Sequence, residues 1–343
     1  MSTQTTLPPA GPRQGAAHGP GRGGLNRLLI ETPETGVIAA CVVFFILISF
    51  RAPTFHSVSN LQVVGRDLGQ TGILAIGESL VILTGGIDLS VGALAGLAGI
   101  LAAWFNVSGH MPGPLAILVT IVVCGIAGLW HGLMVTRLNV PPFVITLVTY
   151  TVTIGAALAI TSGTPISGTD PLFQNLSAYY VWEIPVPALI FVGAVVLTWF
   201  LLERTYVGRQ IYAVGGNKEA ARLAAIPVRR RITSVYVASA VLAGVVGVIT
   251  VGRESGTADP SVGGSGWELI AIASAVVGGV SLFGGEGRII GIAAGAILLE
   301  IIHNGLLSMH VNQYDIQMVQ GAVLGVAILL DRVRARYFGR ART

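Results

Sequence analysis

Ten residues, Leu83-Thr84-Gly85-Gly86-Ile87-Asp88-Leu89-Ser90-Val91-Gly92, place one carboxylate inside a long apolar region, with no basic residue within four positions of it. Two chemistries are open to such an acid. Asp88, with Ser90, can cap the helix that follows, facing the positive end of its dipole while Gly85 and Gly86 permit the turn before it. Alternatively Asp88 binds an ion or a proton, the default functional reading of an acid inside a membrane. Capping accounts for the acid with fewer assumptions and is the favoured reading.

Other candidate groups are sparse. Glu78, Glu268, Glu300 and His303 fall within or at the ends of apolar runs. Glu300 and His303 are three apart and share a helix face, as a proton relay or, with no further acids aligned, as a hydrogen-bonded interhelical pair. Glu268 follows Trp267 and reads as a boundary residue, like Trp104, Trp130, Trp182 and Trp199 in an aromatic belt. Nucleophilic and metal-assisted catalysis have no foothold: there is no G-x-S-x-G, no H-E-x-x-H, and Cys41 and Cys124 sit apart in apolar runs. Lys218 is the sole lysine, and its surroundings, Gly215-Gly216-Asn217-Lys218-Glu219-Ala220, do not form a phosphate-binding loop. The chain therefore carries no cofactor site of its own, and any ATP and magnesium would be bound by another subunit.

The setting for these residues is a bilayer. Of 343 residues 53% are hydrophobic and only 10% charged, with mean hydropathy +0.77, whereas soluble domains carry about 25% charged residues. Forty-six glycines fit close helix–helix approach in lipid. The net charge of +4 does not signal nucleic acid, because the basic residues cluster beside the ends of apolar segments.

A span needs about 20 apolar residues, and ten candidates follow: roughly 34–51, 61–84, 89–105, 115–136, 143–162, 186–203, 232–252, 267–283, 288–308 and 316–332. An eight-span count with two re-entrant elements keeps the same parity. Arginines before the first span, between the sixth and seventh, and after the last fall on one side for an even count, which puts both termini in the cytoplasm. Residues 1–33 read as a disordered tail, 34–332 as the membrane domain, and 333–343 as a basic tail. Gly278-Gly279-Val280-Ser281 ends the eighth span as Gly85-Gly86-Ile87-Asp88 ends the second. Gly92-x-x-x-Gly96 likewise matches Gly291-x-x-x-Gly295, suggesting a same-sense internal repeat.

The segment 204–231 is the longest loop expected on the cytoplasmic side. It holds Gly208, Arg209, a Gly215-Gly216-Asn217 turn with a cap, and a short helix from Lys218 to Ala225 that includes Glu219, Ala220 and Arg222, stopped by Pro227. Orientation alone explains the arginines; a helix set among glycine turns points further, to docking in a partner's groove.

The stretches LTGGIDLSVGALAG, LNVPPFVITL, GRQIYAVGGNKEAARLAAIPV, DPSVGGSGWELIAIASAVVGGVSLFGGEGRIIG and NGL resemble the permease subunit of bacterial simple-sugar ABC importers, the ribose, xylose and galactose group, from about residue 36 to 332. The resemblance implies an all-α integral membrane protein with about ten transmembrane helices, moving a monosaccharide across the inner membrane. It implies a second permease copy, an ATPase with two nucleotide-binding domains and an extracytoplasmic sugar-binding protein, with lipid as surroundings. Related permeases act on nucleosides, autoinducers and amino acids. This chain has Ala225 where the family usually has Gly, a change expected to be tolerated if the backbone there is helical. An ion-coupled secondary transporter using Glu78, Asp88 or Glu300/His303 is the alternative; a pore or structural subunit leaves the docking segment unexplained.

Overall fold

The computed structural model describes residues 33–338, without the side chains of 33, 330, 331 and 333–338. The expected tail before Pro33, and the last five residues of the C-terminal tail, lie outside the described residues. The elements run α1 Pro33–Arg51, α2 Val58–Leu83, α3 Val91–Val107, α4 Gly113–Arg137, α5 Pro142–Thr161, α6 Pro171–Ala178, β1 Tyr180–Val181, β2 Ile184–Pro185 and α7 Val186–Trp199. They continue through a π-helical turn Phe200–Arg204 to α8 Tyr206–Gly216, α9 Lys218–Leu223, α10 Val228–Arg253, a 3-10 turn Val262–Gly264, α11 Trp267–Val277, α12 Ile289–Ser308 and α13 Gln313–Phe338. The two short strands pair antiparallel, Tyr180 with Pro185 and Val181 with Ile184.

Every expected span overlaps a helix, and six of the described helices are long and apolar enough to cross a bilayer: α1, α4, α5, α7 with its π turn, α10 and α12. Among them α4, α5 and α7 carry proline in the first turn, where its missing N–H costs no hydrogen bond, and α1 likewise begins at Pro33. The helices sort into two layers. α10 and α12 are buried over 72% and 78% of their most apolar window, against 11% for α1, and α4, α5 and α7 resemble α1. The outer layer turns Val43, Phe50, Leu118, Val152 and Leu197 outward, as lipid requires. The inner layer is α2, α3, α10, α11 and α12, whose small residues let backbones approach. A Cβ at Gly128 of α4 would lie 2.7 Å from Val237 Cα, and one at Gly132 would lie 2.6 Å from Thr233 Cα.

The expected span 267–283 is half a crossing. α11 has 11 residues, about 16 Å at 1.5 Å per residue, half the ~30 Å hydrocarbon thickness. Residues 278–288 then follow without helix. Both small-residue motifs serve this half-helix. Gly92 and Gly96 of α3 meet its beginning, at Glu268 and Gly263; Gly291 and Gly295 of α12 meet its end, at Gly278 and Ser274. Glu268 is thus not a boundary residue: it is 7% exposed and lies against Gly92 inside the helix bundle.

The suspected likeness between the ends of α2 and α11 is a shared hydrogen-bond pattern, shifted by one residue. Gly85 N–H donates to Ile82 O (2.8 Å) and Gly86 N–H to Val81 O (3.1 Å). Gly279 N–H donates to Val276 O (2.9 Å) and Val280 N–H to Ala275 O (3.0 Å). Gly85 and Gly279 both take the left-handed conformation this closure needs, with φ of 75° and 91°. The matching residue of Gly85 is therefore Gly279, where the sequence comparison aligned it with Gly278.

Candidate coupling junction and transport cavity

Three chain segments meet at one face of the bundle through their backbones. The Leu83 carbonyl at the end of α2 accepts the Gly285 N–H at 2.9 Å, satisfying a terminal acceptor. Gly215, near the end of α8, sits so close that a Cβ there would overlap Leu83 O and Gly285 N. A Cβ at Gly284 would lie 2.9 Å from Gly85 N, and one at Gly285 2.6 Å from Gly216 N. Gly85, Gly284 and Gly285 all have φ between 75° and 84°. Ser281 shapes the third segment, donating its N–H to Glu286 O and accepting the Phe283 N–H at its hydroxyl.

The residues 204–231 therefore do more than one expected thing. Gly215 and Gly216 are helical, not a turn; they end α8, and the turn belongs to Asn217. Asn217 closes α8 by donating its N–H to Ala213 O, then caps α9 by accepting the Ala220 N–H at 2.9 Å. The expected helix from Lys218 ends at Leu223, with Ala225 beyond it in the left-handed region (φ 57°). Ala225 N–H donates to Arg222 O and Ile226 N–H to Ala221 O, the closure seen at Gly85 and Gly279. The family's usual glycine at this position is thereby explained, and the expected helical backbone at 225 is corrected. Gly208 packs on the Leu202 backbone, and Arg209 is exposed.

α9 presents its outer face freely. Arg222 and Glu219 pair at 2.6 Å with their side chains mostly exposed, and Leu223 is 90% exposed. Behind it α8 is anchored: the Tyr212 hydroxyl donates to Gly287 O at 2.8 Å, and burial followed by the nearby Glu203 carboxylate pushes its pKa up to about 12, so it remains a donor. Arg288 lies 3.6 Å from Glu203 and 3.7 Å from Glu34, and Arg332 stacks over Phe283. The start of α1, the 204–231 segment and α13 around Arg332 thus share one face, as the arginine distribution requires.

Asp88 lies inward of this junction. It is fully buried, and Ser90 occupies the N-cap position of α3 without a side-chain bond to the helix. Asp88 Oδ1 instead accepts from Ser90 N–H (2.9 Å) and Ser90 Oγ (2.6 Å), organising the turn ahead of the helix. Its own N–H donates to Glu78 Oε1 at 3.1 Å, and its second oxygen is 3.9 Å from His131 Nδ1. His131, a residue the sequence gave no reason to single out, bonds Thr149 through Nε2 at 2.8 Å. Among the described residues no group of three acids, histidines or cysteines has the geometry to hold a metal ion.

Toward the opposite face lies a cavity of about 770 Å³. Asp67 and Gln70 of α2, Arg253 ending α10, Glu300 and His303 of α12, and Gln320 of α13 face it. Arg253 is ion-paired with Asp67 and donates to Gln70 Oε1 at 2.7 Å, while Gln70 donates to Thr250 Oγ1. Glu300 and His303 share a face, as their spacing predicts, yet the recorded partner of His303 Nδ1 is Gln320 at 3.2 Å. Neither α11, which starts here, nor the amides of α13 were foreseen as lining. The available signal was Gln313, Gln317 and Gln320 at i, i+4 and i+7, one face of a single helix.

The family described as branched-chain amino acid transport system, permease component, matches residues 60–330, and the chain belongs to it. It is a transporter component, a multi-pass membrane permease, and not an enzyme. The chain is 39% identical over 304 residues to the ribose import permease protein of Bacillus subtilis, covering 88% of this chain and 94% of that one. It is 36% identical to the D-allose transport system permease protein of Escherichia coli (85% and 89% covered). To the galactose/methyl galactoside import permease protein of Escherichia coli it is 34% identical (88% and 94% covered). No solved structure matches it.

Proposed function

We propose that this chain is the membrane-spanning subunit of an ATP-binding-cassette importer for a monosaccharide, embedded in the bacterial inner membrane with both termini cytoplasmic. Its relatives named for ribose, allose and galactose favour sugar over the amino acids in the family's title. A separate ATPase with two nucleotide-binding domains supplies the energy, an extracytoplasmic binding protein delivers the sugar, and a second copy of the chain completes the pathway. The observation that carries the coupling role is α9: a capped helix with Leu223 almost wholly exposed, fixed at its base to the ends of α2 and the 281–287 turn. An exposed apolar side chain beside a charge pair suits a partner's groove. In reconstituted vesicles, uptake of D-ribose, D-allose or D-galactose should require the ATPase and persist after the proton gradient is collapsed. Leu223→Asp and Glu219→Arg should still insert in the membrane but lose ATPase on co-purification, by about tenfold or more, since truncating a desolvated interface contact costs ~2–5 kcal/mol. Uptake by the chain alone, abolished by an uncoupler, would overturn the assignment.

A further inference from the structure

We propose that the cavity between the start of α11 and the Gln313/Gln317/Gln320 face of α13 is a binding site for an uncharged polyhydroxylated ring, where the transported sugar pauses. The inference rests on the importer reading above and adds its substrate site.

The fold itself calls for a wet cavity here. Residues 254–266 enter the bundle without α-helix and reach Gly96 through Val262 and Gly263, and α11 begins directly after them, with Trp267 and Glu268 against Gly92. Non-helical backbone at membrane depth survives only where it is covered by protein or lines a water-filled space. Gly264, Ser265 and Gly266 line this one. Its volume of about 770 Å³ falls in the range of ligand pockets, ~300–1,000 Å³.

The lining then selects the chemistry. Arg253 is the only Arg or Lys among the lining residues, and its guanidinium is already taken by Asp67 and Gln70. A carboxylate or phosphate entering would find no free cation. What remains open is neutral or acceptor chemistry. Gln313 and Gln317 are exposed, their amides each offering both donors and an acceptor, and Glu254 adds an exposed acceptor, whereas the unpartnered Oε1 of Glu300 is closed off from solvent. Hydroxyls, which donate and accept at once, are the natural complement. Trp267, the first residue of α11, adds an aromatic surface for the C–H face of a sugar ring. A free amino acid would instead require its charged ends to be paired in a low-dielectric site.

The test uses the assembled transporter with its ATPase and binding protein, in vesicles, with D-ribose, D-allose and D-galactose as probes. For whichever probe the wild type takes up, Gln313→Leu and Gln317→Leu should each raise KM roughly three- to tenfold, as expected for losing one or two net hydrogen bonds. Gln317→Asn should recover part of the loss. A cysteine at 317 should be shielded from a thiol reagent by the sugar, and one at 318 should not. Normal KM in both leucine variants, or labelling at 317 unaffected by a sugar that is demonstrably transported, overturns the cavity assignment while leaving the importer standing. If the wild type imports none of the three, the importer reading falls and takes the site with it.

Discussion

The two ends of α11 are built from different materials. Its C-terminal end leads into a junction made of backbone, in which Gly85, Gly215, Gly284 and Gly285 let three segments touch without side chains between them. Its N-terminal end opens on a cavity lined largely by side chains, drawn from α2, α10, α12 and α13 as well as α11 itself, beside the 264–266 backbone. Backbone contacts are stiff and transmit displacement; a polar cavity must yield as solute enters and leaves. With the ATPase docked at α9 as proposed, a half-helix joining the two would turn movement there into a change in cavity shape, because its short length lets it move as one piece.

The comparison is broken most directly at Gly215. A Cβ there would overlap both Leu83 O and Gly285 N, so Gly215→Val must push α8 off the end of α2. Overpacking costs ~1–3 kcal/mol, and here the strain falls on the junction, since α9 beyond it is exposed except at Ala221. Sugar uptake in the reconstituted transporter should fall by tenfold or more while ATP hydrolysis continues. Gly216→Ala is the control: nothing lies within 4 Å of a Cβ at that position, and uptake should stay near wild type. Equal loss in both variants would show that helix flexibility, not close contact, matters at this junction.

Much of the junction was legible in the sequence and little of the cavity was. Glycine pairs, an Asn cap and a Pro stop are local signals, each acting within four or five residues of itself. They located the 204–231 helix and the turn at Gly85, yet misassigned Gly215–Gly216 to a turn because close approach and φ freedom call for the same residue. The cavity joins Asp67, Arg253 and Gln317, which are far apart in the chain; only packing of α2, α10 and α13 brings them together. The shortness of α11 was equally hidden, since residues 267–283 are apolar throughout apart from Glu268 and Ser274 and Ser281, and hydropathy does not show where a helix stops.

Asp88 sharpens the comparison, because it lies between the two regions and uses a side chain to hold a backbone turn. Asp88→Asn retains the oxygen that accepts from Ser90 N–H and Oγ, so uptake should be within about twofold of wild type. Asp88→Leu strands both donors in the interior, at ~1–3 kcal/mol each for an unmet buried partner. The measurement is the thermal midpoint of the detergent-solubilised chain beside uptake in vesicles. Equal inactivation by Asn and Leu, with the midpoint of Asn unchanged, would mean the carboxylate charge is needed for transport, as an ion ligand requires.

The smallest effect expected is a gain. The helix closure seen at Gly85 and Gly279 recurs at Ala225, Ser255 and His310, where the left-handed residue carries a side chain. An L-residue in the left-handed region costs roughly 1–2 kcal/mol, while glycine gives back part of that advantage through its greater freedom in the unfolded chain. Ala225→Gly should therefore stabilise the end of α9 by a net ~0.5–1 kcal/mol. Its position is exposed, so no packing is lost with the methyl group. Amide exchange of residues 218–226 should slow by about two- to fivefold, with sugar uptake unchanged. Faster exchange in the glycine variant would place Ala225 in an ordinary helical conformation and remove the closure there. It would also return the family's preference for glycine there to a contact with the ATPase.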